Sequence, residues 1–532
     1  MKMTCFFRAM RIKQLAYCVG VAALSAASQS ALAANWYVDN AVATSGNGQS
    51  WVSSFKTFSA IPWPSVRAGD TIYVSGGPAG GSKIYTEAWS ISATGAAGNP
   101  VIITIDAANV NHNGTATFDY DARGDRATGT GITISNRGYV TITGNVGGQN
   151  RIAIKNLRNV VDRTNATCLG GFGNNSIIID HVDFVNCNNG VRLWSGSMGS
   201  GSVVRNSNFR QIRGDVAIML DMGGTTWDAH KIHDNSIELL NNTAVPSGGS
   251  GAYVGPDGIQ TGDGVSIFNN TVRVNQTSLY TSNQHTDDIQ FGMARYLKIY
   301  NNEFVNVGDS VIDLGTWGSN INVSDIWIFN NVFRIETQID PYPQYIRLYA
   351  NPGNIASLNN IKILNNLFLD GGSGWPVIDF DAYGGNPTAS GIEIKNNIFY
   401  NTTGVKITAS SAFSTTSFSF GSNIYYPSSG TSVTFNGASR TPASWQIAME
   451  PSAKLLAPQF ISYSLRSPAN NLRLASGDIV ARNAGVSLMS YFAFDKDGVS
   501  RPQDSIWDIG PYEFSAGGLA LKPPTNLRLL PN

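Results

Sequence analysis

The sequence predicts an all-β solenoid, a coil of short strands stacked in parallel, and three observations predict it. An Asn-centred segment recurs about every 30 residues, the spacing expected of a solenoid array. None of the recurring units shows the 3.6-residue apolar period of a helix. Only 14% of residues are charged, against roughly 25% in ordinary domains, while glycines number 56 and aromatics reach 10%.

Residues 1–33 read as a cleavable bacterial-type signal peptide. Lys2, Arg8, Arg11 and Lys13 precede an apolar run from Leu15 to Ala27, and Ala31-Leu32-Ala33 offers a small-residue cleavage site. That run is too short to span a bilayer, and no second long one follows. The mature chain is expected to be secreted, periplasmic or on the outer surface. The signal holds four of the 36 basic residues and none of the 36 acidic ones, which leaves 32 against 36, a formal net charge of −4. A nucleic-acid partner would leave a basic footprint, and this balance lacks one.

Eight segments share one pattern: "IIIDHVDF" (177–184), "VVRNSNF" (203–209), "KIHDNSI" (231–237), "SIFNNTV" (266–272), "KIYNNEF" (298–304), "WIFNNVF" (327–333), "KILNNLF" (362–368) and "EIKNNIF" (393–399). A β-branched or aromatic alternation meets a polar pair, then a second apolar strand. The second member of the pair falls at His181, Ser207, Asn235, Asn270, Asn302, Asn331, Asn366 and Asn397, at spacings of 26, 28, 35, 32, 29, 35 and 31 residues. Parallel coils absorb such variation in their turns. Asn tolerates the left-handed conformation that a sharp bend requires, and Asn side chains on neighbouring coils can bond in a ladder. The Asn pairs are read as fold, not function.

Together with "WYVDNAVATSGNGQSW" (36–51), "AGDTIYVSGG" (68–77) and "GNPVIIT" (98–104), this repeat resembles the single-stranded right-handed parallel β-helix proteins of the secreted polysaccharide lyase-like superfamily. "SPANNLRLASGDIVARNAG" (467–485) and "DKDGVSRPQDSIWDIGPYEF" (495–514) resemble the closing segment of bacterial β-helix proteins with a choice-of-anchor region. The resemblance implies an N-terminal cap and first coils over 34–100, the helix over 101–430, an irregular C-terminal capping segment over 431–515 and a Pro-rich tail over 516–532. It also implies a polysaccharide partner and cell-surface association through the C-terminal segment. β-Helices host lyases, hydrolases, epimerases and adhesins, so the activity must come from a site.

Two cysteines survive export, Cys168 and Cys187, 19 residues apart. That is slightly less than one coil, and adjacent coils about 4.8 Å apart lie within the span of a disulfide. Two buried thiols are the alternative; a metal site lacks partners at ligand spacing.

The later strand of each coil carries the functional signal: "GVRLWS" (190–195), "GIQTG" (258–262), "DIQFG" (288–292), "VIDLG" (311–315), "YIRLY" (345–349) and "VIDFD" (377–381). Strand side chains alternate between faces. If Ile259, Ile289, Ile312, Ile346 and Ile378 face the core, then Arg192, Gln260, Gln290, Asp313, Arg347 and Asp379 form an outward column. Trp194, Tyr349 and Asp381 lie two residues further along, and Asp288 two residues earlier. A solvated ion-pair ladder would share this composition. The functional reading is a ribbon for an extended polysaccharide, with Arg192, Trp194, Gln260, Gln290, Tyr349, Asp379 and Asp381 binding it. On that reading Asp313 projects into water, and Asp313→Ile should cost little stability.

The stretch "NQHTDDIQF" (283–291) places His285, Asp287 and Asp288 at the rim of the ribbon. Asp257 and Asp287 precede their strands, where an Asp caps a turn or binds calcium, the one cofactor expected. Asp288, Asp313, Arg347 and His285 are the catalytic candidates. In β-elimination on an acidic polysaccharide such as pectate or alginate, Arg347 or calcium would neutralise the substrate carboxylate and His285 would be the base. In inverting hydrolysis, Asp288 and Asp313 would flank a water at roughly 8 Å. A non-catalytic carbohydrate-binding or adhesin-like role is the third reading. "QHTDD" resembles the Asp/His motif of mannuronan epimerases, but their fuller Asp-Pro-His-Asp pattern is absent. The paired Asp at 287–288 and "PDG" (256–258) resemble polygalacturonase motifs, whose later Gly-His-Gly and Arg-Ile-Lys are missing.

Overall fold

The described coils share one path: a strand, a corner that is most often Asn, a short strand, a turn, a third strand, and a loop to the next coil. The computed structural model describes residues 33–159, 165–194, 199–221, 223–240, 256–275, 286–292, 294–314, 321–340, 343–348, 355–371, 374–382 and 387–516. The signal region, His285 and Tyr349 lie outside these residues. Among them the strands line up into three long sheets. The first runs through thirteen strands from Asn35–Val38 to Phe418–Gly421, the second through twelve from Ser82–Tyr85 to Ile424–Tyr426. The third runs from Trp89–Ile91 to Ala438–Arg440. Neighbours pair in parallel, apart from the final antiparallel strand of the third sheet. The chain is a parallel β-helix. No helix among the described residues is long and apolar enough to cross a membrane.

The interior follows from the repeat. Each inward position stacks on its counterpart one coil away, so like residues meet like. Phe304, Phe333, Phe368, Phe399 and Tyr425 form one file of rings with centroids 4.8–5.3 Å apart. No coil could bury its apolar edge alone; stacking makes the core continuous.

The corner explains the Asn pair. Its first member is left-handed, with φ of 56°, 56°, 55°, 51° and 56° at Asn269, Asn301, Asn330, Asn365 and Asn396. The second member forms a ladder through Asn235, Asn270, Asn302, Asn331, Asn366, Asn397 and Asn423. Each Oδ1 accepts the backbone N–H and the Nδ2 of the preceding Asn at 2.9–3.1 Å. Glu450 ends the ladder, accepting from Asn423 N and Nδ2 at 2.8 and 2.9 Å. His181 is not a ladder residue. It is the left-handed member of its corner (φ 53°), in register with Asn206, and Val182 takes the next position, donating N–H to Ser207 Oγ at 3.2 Å.

Capping of the last coil falls to Pro442–Ala448, a helix with Thr441 as N-cap and Pro at its first position, the favoured arrangement. Its Trp445 is fully buried and meets Phe420 and Phe435 edge-on. Residues beyond it double back along the outside of the coil. Leu488, Phe492 and Trp507 cover Phe268, Tyr300 and Phe329, and carbonyls of Phe494, Asp508 and Gly510 accept from Asn330 and Asn365. Cys168 and Cys187 are disulfide-bonded, with their Cα atoms 6.2 Å apart.

Candidate functional site

The third sheet sets the column in register. Ile259, Ile289, Ile312, Ile346 and Ile378 pair in succession and are fully buried. One residue on, Gln260, Gln290, Asp313, Arg347 and Asp379 pair likewise. Arg192 joins them through Met219, an intervening coil that the polar alignment skipped because its outward residue is apolar.

The column does not stand in open water. Gln260, Gln290, Asp313 and Asp379 are all buried, Asp313 being only 2% exposed. The sheet points these groups out of the core, yet the surrounding chain covers them, which alternation alone cannot foresee. Polar groups so covered must find partners. Arg347 donates from Nε to Asp313 Oδ1 at 2.7 Å and from Nη2 to Oδ2 at 3.2 Å, a two-pronged grip, and its Nη1 reaches Asp309 at 3.5 Å. Burial and the Asp287 charge push Asp313 up to about 7, against the opposing pull of Arg347. Burial and the Asp381 charge push Asp379 up to about 6. Gln344 Nε2 lies 3.5 Å from its Oδ2, and its Oδ1 has no hydrogen-bond partner.

Asp257 and Asp287 build a second ladder, at the corner entering this sheet. Asp257 accepts the backbone N–H of Asp287 at 3.1 Å and Gln260 Nε2 at 2.8 Å. Asp287 accepts the N–H of Ser310 and Gln290 Nε2, each at 3.2 Å. Each carboxylate thus ties down the next coil and orients the glutamine of its own. Among the described residues, no group of three or more His, Cys, Asp or Glu side chains converges as a metal site.

Asp288 overturns an expectation. Alternation places it outward, beside Asp313; it lies in the core. It precedes Ile289 as Gly258 precedes Ile259 and as Val311 precedes Ile312. A Cβ at Gly258 would meet the core residue Val272 at 3.1 Å, and Val311 is fully buried. Both Asp288 oxygens are buried without partners. Burial, then the charges of Asp287 and Asp257, raise it well above the usual carboxylate range. The strand proper begins at Ile289, so strict alternation fails one residue earlier, at the corner, and two successive side chains turn inward. Val311, Tyr345 and Val377, apolar at the same position, carried that signal in the sequence. The water-holding pair Asp288–Asp313 is therefore split by the sheet itself.

Arg192 and Trp194 lie at the other end of the column, the guanidinium over the indole at 4.6 Å and paired with Asp215 at 3.5 Å. Asp381 is half-buried next to Asp379. Sequence reading missed Asp309, four residues before Asp313 in "DSVID", whose spacing returns it to the same guanidinium.

No protein-family model matches this chain, and no curated protein matches it. Among solved structures it is similar to pectate lyase Pel9A, at 13% identity over 90% of this chain and 96% of that one, with a TM-score of 0.39. A mannuronic acid specific polysaccharide family 6 lyase from human gut microbiota gives 12% identity, coverage of 70% and 86%, and 0.39. The Streptococcus pneumoniae surface adhesin PfbA gives 11%, 69% and 83%, and 0.37. Likenesses this distant assign no activity, and the fold rests on the strand pairing itself.

Proposed function

We propose that this protein is an exported enzyme that cleaves an extended polysaccharide, with Asp313, Arg347 and Asp379 as its centre. One observation carries the reading. Two carboxyls that burial pushes up, Asp313 to about 7 and Asp379 to about 6, stand in one column on either side of an arginine. Their backbones are two coils apart, about 9.6 Å, close to the separation of an inverting carboxylate pair. Pairs whose environments separate their proton affinities divide the acid and base roles. Asp313, the weaker acid, holds the proton given to the departing glycosidic oxygen. Asp379, ionised first, takes a proton from the water that attacks the anomeric carbon, and the glycosidic C–O bond breaks. The disulfide supports an oxidising, extracytoplasmic compartment.

Elimination on a uronic-acid polymer is the second reading. The carboxylates around Arg347 outnumber it, and calcium bound among them would supply the cation that a uronate needs. Pectate, alginate, glycosaminoglycans and neutral polysaccharides, each with and without a chelator, separate the two. Hydrolysis yields reducing ends without new ultraviolet absorbance, and chelation leaves it unchanged. Elimination yields an absorbing 4,5-double bond and stops with the chelator. If no polymer is cleaved, the column is structural or purely a binding surface.

Asp313→Asn is expected to lower turnover by a hundredfold or more, the scale of a positioned acid or base, roughly 10²–10⁴. Turnover against pH should be bell-shaped. Asp379 must be ionised, so activity falls below about 6, and Asp313 must keep its proton, so it falls above about 7. A flat profile from pH 5 to 8 would remove both roles.

A further inference from the structure

Four to six coils toward the N-terminus from Asp313, on the same outward face, lies a groove of about 240 Å³. Its floor and walls include Thr130, Thr133, Thr167 and Gly170, and two aromatic rings stand over it. Phe172 and Trp194 are register partners on adjacent coils, 52% and 41% exposed. The next register partner of Trp194 is Asp221, also exposed. Gly170 pairs with Arg192 and, lacking a side chain, keeps the floor low where its neighbours in the column project. Two large rings left in water side by side, with no core role, mark a surface that something covers.

Chemistry narrows what covers them. Ring faces take the C–H faces of sugars, while hydroxyls need neutral or acceptor groups nearby. The threonines that line the groove supply those groups. Arg192 is compensated by Asp215 and lies against Trp194, so it offers little attraction to an anion. Asp221 stands just beyond the groove as the next register partner of Trp194, and its carboxylate opposes an anion there. Anionic sugars are disfavoured there, and neutral pyranose units are not.

We infer that this groove is a distal subsite that holds neutral sugar units of the same glycan chain whose far end reaches Asp313. The inference rests on the cleavage reading above for what lies at the other end. Register steps from Arg192 through Met219, Gln260 and Gln290 to Asp313 make four coils, about 19 Å at about 4.8 Å each. Met219, Gln260 and Gln290 in between are buried, so the polymer passes over their cover and not on the column itself, and a short oligosaccharide cannot bridge the two sites. The subsite tethers the chain and raises its effective concentration at the reacting end.

The test uses the full chain with Phe172→Ala, Trp194→Ala, their double variant, Trp194→Tyr and Asp313→Asn. The probes are xylan, glucomannan, pectate and alginate, with trisaccharides of each. The double variant should raise KM for a cleaved polymer about tenfold. It should leave kcat/KM on trisaccharides and the melting temperature unchanged. Trp194→Tyr should restore most of the loss, and Asp313→Asn should still be retarded in gels containing the polymer. A double variant with unchanged KM and unchanged retardation overturns the subsite while leaving cleavage intact. If the natural protein cleaves nothing yet is retarded, and the double variant is not, the subsite stands and the cleavage reading falls. If neither cleavage nor retardation occurs, both fall.

Discussion

Asp288 and Lys406 occupy the same interior column of the third sheet, among Val311, Tyr345 and Val377, and fare differently there. Lys406 Nζ donates to Thr402 Oγ1 at 2.7 Å and Thr402 O at 3.0 Å, while burial brings its pKa to about 7. Asp288 finds no partner for either oxygen. An unsatisfied buried group costs about 1–3 kcal/mol, so Asp288→Val, which installs the residue found at positions 311 and 377, should stabilise by about that much. The sign against pH follows from the raised folded pKa. Folding keeps the proton that the unfolded chain releases near 3.9, so stability is fullest below that pH and is lost as pH rises toward the folded value. Thermal melts from pH 4 to 8 should fall for the natural protein and lie flatter for Asp288→Val; parallel curves would place the carboxyl elsewhere. Asp313 needs the opposite correction. Alternation alone projects it into water, where Ile would be tolerated. Its grip on Arg347 is buried, and removing one partner of a buried pair costs about 3–5 kcal/mol. Alternation showed which way Asp313 points but not what lies over it, because cover comes from residues outside the strand.

At the level of the corner, adjacent asparagines in "NN" do unlike work, and the sequence showed the pair without dividing its labour. Asn301 supplies only backbone: φ is 56°, and neither side-chain atom has a partner. Asn302 donates to Ile267 O and Asn331 Oδ1 at 2.9 and 3.1 Å, and its Oδ1 serves Asn270 N and Nδ2. Asn301→Gly should therefore be nearly neutral, since Gly adopts positive φ freely. Asn302→Ala should cost more than about 3 kcal/mol, because it strands several buried groups at about 1–3 kcal/mol each. Urea melts of the two variants make the comparison, and equal losses would contradict the ladder. Period and Asn content made the ladder legible for the positions from Asn235 onward. They misplaced it at His181, where Asp-His stands for the pair and a histidine, not an asparagine, takes the left-handed bend.

For the whole molecule, the coil was legible because its contacts join like segments one period apart. The course of the C-terminal segment was not. Its anchors lie far off in sequence: Asn330 to Phe494, Asn365 to Gly510, and Lys496 Nζ to Asn301 O. No periodicity records such contacts, and the resemblance of 467–514 to a closing segment says nothing about which surface it closes. It closes the outward row Phe268, Tyr300 and Phe329, whose rings stack at 4.9 and 4.8 Å and end on Phe492 at 4.5 Å. Within the segment, Arg501 and Glu513 pair at 2.9 Å in a fully buried site, so it carries its own polar organisation. Removing residues 455–532 leaves the coil, its Trp445 cap and the Asn423–Glu450 end of the ladder, but uncovers that row of rings and the row Val332, Leu367, Ile398 and Ile424 that Leu472, Leu474 and Ile509 cover. Coils in a solenoid depend on their neighbours and little else, so the truncated chain should keep its β circular dichroism. The uncovered rings form a contiguous apolar strip, which marks an association surface. Sedimentation should then show the truncated chain more associated than the full chain, and Phe492→Ala should move part of the way by losing about 3–5 kcal/mol of ring burial. A truncated chain that sediments as the full chain does, with an unchanged melting temperature, would mean that the segment is an appendage and that the strip of rings is stable in water by itself.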